Sequence, residues 1–136
     1  AGRLIACIDV DCVLERDALL RMIKPFLEET DRKVIATGGV IRLANDCKIE
    51  DGRLLQIRVP RSFIAAAQVL EYMRAFLLSR VYWAKVNGLL LVSGALGLFD
   101  KETVVEAGGY SHKSVGAEME LVMRMRRMKE ERRQPY

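Results

Sequence analysis

Apolar runs and helical patterns alternate along the chain and predict an α/β fold. The short apolar run Leu4–Ile8 is followed at once by a pattern over 17–29 in which apolar residues recur every three or four positions. An apolar run of this length before a helix is typical of a strand in a parallel sheet that is covered on both faces. We therefore expect a buried strand at Leu4–Ile8 and a helix after it that Pro25 kinks.

The next part of the chain predicts two strands with a turn-rich segment between them. Valine and isoleucine around Gly38-Gly39 favour a bent strand over 33–43, and the apolar residues of 54–59 favour a returning strand. The polar residues of 44–53 are typical of turns. We expect a hairpin-like excursion.

A long helix is predicted over 63–85. Ser62 is its candidate N-cap, and Asn87-Gly88 would end it. Its apolar residues recur at helical spacing and predict one buried stripe, formed by Phe63, Ala67, Leu70, Leu77 and Val81.

The last third of the chain predicts one strand and two helices. An apolar strand over 89–92 would run into Ser93-Gly94-Ala95, and Asp100 would cap a short helix over 101–107 that ends at Gly108-Gly109 with positive φ. The final helix would open at Ser114 or Gly116, with these residues facing inward: Met119, Val122, Met123 and Met125.

Composition indicates a folded domain. The 136 residues are 51% hydrophobic and 29% charged, which suits a single domain over 1–136. No apolar run is long enough to span a bilayer. Three cysteines without paired spacing suggest reduced thiols in a cytosolic setting. Zinc binding by Cys7, Cys12 and His112 is disfavoured because no second cysteine pair exists.

The net charge is +4, and much of the basic excess is expected to lie close to the C-terminus. Such a cluster can meet anionic lipid or a nucleotide diphosphate, or it can be a solvated helix face. Nucleic acid fits least, because no aromatic side chains for base stacking are interleaved with the basic residues. The cluster comprises Arg124, Arg126, Arg127, Lys129, Arg132 and Arg133.

Two carboxylates, Asp9 and Asp11, follow the first strand. Ligands bind at the carboxyl ends of strands in open α/β sheets, and carboxylates there are suited to a hard divalent cation beside phosphate oxygens. The competing interpretation is a solvated turn with a helix N-cap.

These aspartates belong to a series of motifs that resembles a known family. The series continues with the segments 92–100, 106–110 and 115–121, which include Ser93-Gly94-Ala95, Gly108-Gly109-Tyr110 and Gly116-Ala117-Glu118. In this order the motifs resemble the catalytic domain of processive family 2 glycosyltransferases, the membrane enzymes that build polysaccharides from nucleotide sugars. The resemblance spans nearly the whole chain.

The resemblance implies a partial GT-A type, Rossmann-like mixed sheet with flanking helices. It implies that Asp9 and Asp11 engage a nucleotide-sugar donor, of UDP type, and its Mg²⁺ or Mn²⁺, with Asp11 as the direct metal ligand. Ser93, Gly94 and Ala95 would lie beside the donor and the saccharide acceptor, because small side chains let a substrate approach the backbone closely.

The family's general base follows a Gly-Glu-Asp pattern, from which this chain departs. Here the residues are Gly116-Ala117-Glu118, so one acid is absent and the other is a glutamate. Glu118 is the candidate base, since it keeps a carboxylate where the proton of the acceptor hydroxyl would be taken. Glu120 is expected to pair with Arg124, four residues on.

The family domain contains an upstream nucleotide-binding half and a downstream Gln-x-x-Arg-Trp segment, neither of which this sequence has. We expect a fragment with the metal and acceptor half, inactive by itself, whose exposed sheet edges favour self-association. The parent would act at the cytoplasmic face of the membrane, and the fragment would be soluble. The alternative function is a non-catalytic binding or scaffold domain, and a weaker one is a basic module that binds anionic surfaces.

Overall fold

The computed structural model describes residues 2–28, 31–111 and 116–136 and shows a mixed α/β chain with small antiparallel sheets. In chain order the described elements are β1 (Leu4–Ile8), α1 (Ala18–Leu27), β2 (Ala36–Gly38), β3 (Lys48–Glu50), β4 (Arg53–Gln56), α2 (Phe63–Met73), a π-helical segment (Arg74–Ser79), α3 (Arg80–Lys85), β5 (Leu96–Asp100), α4 (Lys101–Glu106) and α5 (Ala117–Glu131).

The chain forms two compact units. The sheet unit comprises Ala1–Cys12, Asp17–Gly39 and Leu90–Tyr136, and the helical unit comprises Val13–Arg16 and Val40–Leu89. The expectation of one domain over 1–136 stays a prediction.

A three-stranded sheet organises the sheet unit, in the order β1-β5-β2. Both outer strands are antiparallel to β5, so Ile8 pairs with Leu96 and Gly38 pairs with Gly97. The strand at Leu4–Ile8 is confirmed, but its expected parallel neighbours and its burial on both faces are wrong. Successive side chains of a strand face opposite ways, and only one face of β1 is covered: Ile5 and Cys7 pack against the core, whereas Ile8 is exposed.

The second strand is shorter than predicted. Of the range 33–43, only Ala36–Gly38 is a strand, and the amide of Gly39 makes one further backbone hydrogen bond to Leu96 O at 2.9 Å. The predicted strand over 89–92 is wrong, since the third strand of this sheet begins at Leu96.

The core of the sheet unit lies between β5 and the helices α4 and α5. Phe99, Leu121 and Met125 are almost completely buried in it. The inward position of Val122 and Met125 is confirmed, but Met119 and Met123 are exposed. The reason is helical geometry: residues 119 and 123 share a face of α5 that turns away from the buried face at 121, 122 and 125.

Both ends of α4 form as predicted. Asp100 is buried and caps the helix, accepting hydrogen bonds from Thr103 N at 3.0 Å and Thr103 Oγ1 at 2.5 Å. Lys33 Nζ lies 2.9 Å from the same carboxylate oxygen. Gly108 and Gly109 end the helix with φ of 87° and 72°, values that glycine adopts without steric cost.

The other predicted helices are also present. The first extends over Ala18–Leu27 and contains Pro25. The last begins after Gly116, and the alternative start at Ser114 lies outside the described residues.

In the helical unit, β3 and β4 form a hairpin around Asp51-Gly52, both of which have positive φ. The expected pairing of 54–59 with 33–43 is wrong. The strand that pairs with β4 is β3, which lies within the segment 44–53 predicted to form turns. A continuous helical span over 63–85 is confirmed, and Gly88 N closes it on Trp83 O at 2.7 Å.

The buried stripe predicted for this span is wrong. Phe63, Leu70, Leu77 and Val81 are all exposed, whereas Phe76, between them, is buried. None of the helices in the described part of the chain combines the length and apolar character needed to cross a bilayer.

Candidate functional site

A tight turn places the two aspartates at the end of β1. The amide of Cys12 donates to Asp9 O at 3.1 Å, which closes a four-residue turn with Val10 and Asp11 at its centre. Asp9 and Asp11 are exposed. We call residues 9–12 the carboxylate turn.

The carboxylate turn is attached to the small-residue segment, Ser93-Gly94-Ala95. Because β5 is antiparallel to β1, its beginning lies beside the end of β1, and Asp9 N donates to Ala95 O at 3.2 Å. Ser93 is buried, and Gly94 and Ala95 are partly exposed. The residues predicted to contact nucleotide and sugar are therefore neighbours in the sheet unit.

Glu118 meets the same segment from the first turn of α5. A β-carbon built on Gly94 would lie 3.0 Å from Glu118 Oε1 and 3.2 Å from its carboxyl carbon. Real β-carbon contacts are almost never shorter, so the absence of a side chain at residue 94 lets the carboxylate approach the backbone. Residues more than eighty positions apart in sequence thus meet at one segment.

Tyr110 is a further member of this site that residue-level reasoning missed. Its hydroxyl donates to Cys7 Sγ at 3.3 Å, and its ring packs edge-on against Phe99 with centroids 6.4 Å apart. Burial raises the pKa of the Tyr110 phenol, and Cys7 and the charge of Glu118 raise it further. The signal in the sequence was the segment 106–110, which ends at this tyrosine.

The carboxylate turn is electrostatically negative. Burial raises the pKa of the Cys12 thiol, and the charges of Asp11 and Asp9 raise it further. Cys12 Sγ lies 4.0 Å from Asp11 Oδ1. Both aspartates therefore act on a common region where a cation would be favoured.

The donors at the turn suit one mode of metal binding. Within residues 2–28, 31–111 and 116–136, no group of three or more His, Cys, Asp or Glu side chains could hold a metal ion. Mg²⁺ commonly binds through one or two carboxylates together with substrate phosphates and water. Asp9 and Asp11 are two exposed carboxylates, the number that this mode requires of the protein.

The expected Glu120–Arg124 pair is confirmed. Arg124 Nε lies 2.8 Å from Glu120 Oε1, and its terminal nitrogens donate to Ala107 O and, at 2.9 Å, to Gly109 O. The pair joins α5 to the end of α4, the helix whose C-cap precedes Tyr110. The Glu120 carboxylate is therefore engaged in a structural ion pair with Arg124, whereas the Glu118 carboxylate faces the small-residue segment.

The C-terminal basic cluster is largely paired. Arg127 lies 2.8 Å from Glu131, Arg132 lies 2.6 Å from Glu106, and Lys129 is buried beside Gln134. These contacts favour the interpretation of a structured helix face over a surface that binds lipid.

Two clefts of the sheet unit lie at the other end of β5. One has a volume of about 470 Å³ and contains Lys33 and Lys129 in its wall, and another of about 530 Å³ contains Asp100. The carboxylate turn and Glu118 are at the Leu96 end of the same strand. The three cysteines are free, and His112 of the disfavoured zinc set lies outside the described residues.

Comparison of the chain with family models, with curated proteins and with solved structures finds no match.

Proposed function

We propose that this chain carries the metal and acceptor site of a family 2 glycosyltransferase catalytic domain with a GT-A type sheet. The parent would transfer a sugar from a UDP-type donor to a growing polysaccharide with inversion. The observation that carries the proposal is the meeting of Asp9 and Glu118 at the small-residue segment. Four short motifs with unrelated structural roles would not require these two residues to share one segment.

In this proposal Asp9 and Asp11 hold the donor diphosphate through Mg²⁺ or Mn²⁺. When bound, the cation would neutralise the negative charge that develops on the leaving diphosphate. Asp11, at the centre of the exposed turn, is the direct ligand, and Asp9 contacts metal or nucleotide. The backbone hydrogen bond from Asp9 to Ala95 holds the turn against the segment where the sugar would lie.

Glu118 is the proposed base. Its carboxylate accepts the proton of the acceptor hydroxyl while that oxygen bonds to the anomeric carbon and the bond from this carbon to the diphosphate oxygen breaks. A base must lie within hydrogen-bond reach of the proton that it takes. Because Gly94 has no side chain, the Glu118 carboxylate reaches the segment beside which the sugar would lie.

The test is titration calorimetry of the chain with UDP, with and without Mn²⁺. We expect binding that requires Mn²⁺, loss of binding in Asp11→Ala, and retention in Glu118→Gln, because the base does not hold the diphosphate. Asp51→Asn is the matched control, since Asp51 is a turn carboxylate with positive φ in the β3–β4 hairpin and asparagine tolerates that conformation. Binding of UDP without metal, or equal loss in Asp51→Asn, would contradict the proposal.

The second candidate is a non-catalytic binding or scaffold domain with the same fold. The observation that favours it is the motif Gly116-Ala117-Glu118, in which an alanine replaces one acid of the family pattern. The two candidates differ in metal dependence: a scaffold would show no heat with Mn²⁺ and UDP.

A further inference from the structure

The helical unit exposes an unusually apolar helix. The helical span over 63–85 consists of α2, the π-helical segment and α3, and of these residues, all described, Phe76 alone is buried. Phe63 is 87% exposed, and Leu70 and Leu78 are each 68% exposed. Helices that are apolar around most of their circumference are normally buried, so this span requires a covering surface.

The net positive charge of the chain lies in the helical unit, so the expectation that much of it lies near the C-terminus is wrong. The helical unit contains nine basic and five acidic residues, a net charge of +4, whereas the rest of the chain contains thirteen of each. The sheet unit is therefore neutral overall. A covering surface for the helical unit is expected to be anionic.

Much of this charge is available for a partner. Among the described residues, seven of the nine basic side chains of the helical unit form no ion pair, namely Arg16, Arg42, Arg53, Arg58, Arg61, Arg80 and Lys85. Arg61 lies just before the helical span and Lys85 at its end. Basic side chains at the two ends of an apolar helix can reach headgroups while the helix contacts acyl chains.

Two aromatic residues are further features typical of a helix that lies at the boundary between water and lipid. Tyr82 and Trp83 are both exposed near the end of the span, with ring centroids 5.7 Å apart. Tyrosine and tryptophan prefer the boundary between headgroups and hydrocarbon, because one end of each ring is apolar and the other is polar.

We propose that the helical unit binds the surface of a lipid bilayer with anionic headgroups, with residues 63–85 lying in the plane of the interface. The span does not cross the bilayer, since Glu71, Arg74 and Arg80 interrupt it. A second copy of the chain is the weaker occupant, because two units of charge +4 repel each other at this face. Binding of this kind is independent of UDP binding, so either can fail without the other.

The experiment uses Trp83, the one tryptophan of the sequence, as the probe. The full chain is mixed with vesicles of phosphatidylglycerol and phosphatidylcholine, or of phosphatidylcholine alone. We expect a blue shift of Trp83 emission and cosedimentation with the anionic vesicles, both reduced by added salt. Unchanged emission with all protein in the supernatant would overturn the proposal. So would a dimer in sedimentation equilibrium whose Trp83 emission is already shifted without lipid and does not respond to vesicles.

Variants separate the apolar and the charged contributions. Leu70→Gln/Leu78→Gln keeps good helix formers and is expected to weaken binding about tenfold. Val105→Gln is the matched control, because Val105 is 66% exposed on α4 of the sheet unit and should leave binding unchanged. Arg61→Gln and Lys85→Gln should each weaken binding roughly fivefold. Circular dichroism checks the helix content of each variant, and equal binding by Leu70→Gln/Leu78→Gln and Val105→Gln would contradict the assignment.

Discussion

The carboxylate of Glu118 lies against the backbone of Gly94, at the point where a β-carbon on residue 94 would come within 3.0 Å of Glu118 Oε1. This contact joins the first turn of α5 to the segment that precedes β5. The segment is also the hydrogen-bond partner of Asp9, through Ala95 O. The relationship between Gly94 and Glu118 is therefore the feature on which the proposed site depends, and it can be measured directly.

A double-mutant cycle tests this contact. Gly94→Ala should lower the free energy of unfolding by about 1 kcal/mol, because the added methyl group forces the Glu118 carboxylate to move. In a Glu118→Ala background the same change should be neutral or stabilising by up to about 1 kcal/mol, since alanine restricts the unfolded chain. Urea unfolding of the four proteins gives the coupling. An identical effect of Gly94→Ala in both backgrounds would show that the two residues are not in contact.

Asp100 should contribute stability that depends on pH. Burial alone would raise the pKa of its carboxyl, but hydrogen bonds from Thr103 and Lys33 outweigh burial and leave the pKa below its ordinary value. Because the folded-state pKa is lowered, the contribution is complete above the unfolded-state pKa, near 4, and is lost as pH falls through the folded-state value.

The corresponding variant is Asp100→Asn. At pH 7 it should reduce the free energy of unfolding by about 2 kcal/mol, through loss of the helix cap and of the Lys33 interaction. Urea unfolding at pH 7 and at pH 3 should show the difference from the original chain shrinking in acid. Glu102→Gln is the control, because Glu102 also pairs with Lys33, at 3.1 Å, but is exposed. A difference that stays constant with pH would contradict the assigned ionisation.

Arg124 should be intolerant of lysine. Its guanidinium pairs with Glu120 and also donates to the carbonyls of Ala107 and Gly109, a set of directions that a lysine ammonium cannot reproduce. We expect Arg124→Lys to lower the free energy of unfolding by about 1–2 kcal/mol. Arg127→Lys, in an exposed i,i+4 pair with Glu131, should leave it unchanged. Thermal or urea unfolding compares the two, and equal effects would rule out a special role for the carbonyl contacts.

Tyr110 should ionise later than an ordinary tyrosine. Burial is the main reason that its pKa is raised, and the hydrogen bond to Cys7 is the next. The stability that comes from this raised pKa is present below the unfolded-state value, near 10, and is lost as pH rises towards the folded-state value. Absorbance titration should show a late-ionising tyrosine that is missing in Tyr110→Phe.

Removal of the Cys7 thiol tests whether its hydrogen bond contributes to the raised pKa of Tyr110. Cys7→Ala should lower the Tyr110 pKa, while Cys47→Ala, in the helical unit, should not change it. A Tyr110→Phe variant that keeps every late-ionising phenol of the original chain would contradict the environment described for Tyr110.

The sequence by itself determined the features that depend on residues close together in the chain. The strand at Leu4–Ile8, the Asp100 cap, the Gly108-Gly109 helix end and the Glu120–Arg124 pair all depend on residues close together in the chain. Their energies come from hydrogen bonds and conformational preferences that span a few residues, so spacing is enough to predict them.

Only the tertiary structure decided how these pieces are arranged. That β1 is an outer strand antiparallel to β5, that Met119 is exposed while Leu121 is buried, and that the helical span over 63–85 faces solvent all depend on distant partners. Apolar periodicity gives the spacing of a face but not what covers it, because burial is set by the whole of the surrounding surface. The same holds for the site, for which the sequence identified Asp9, Gly94 and Glu118 as candidates. The antiparallel pairing of β1 with β5 places Asp9 beside the segment that contains Gly94, and the position of α5 places Glu118 there.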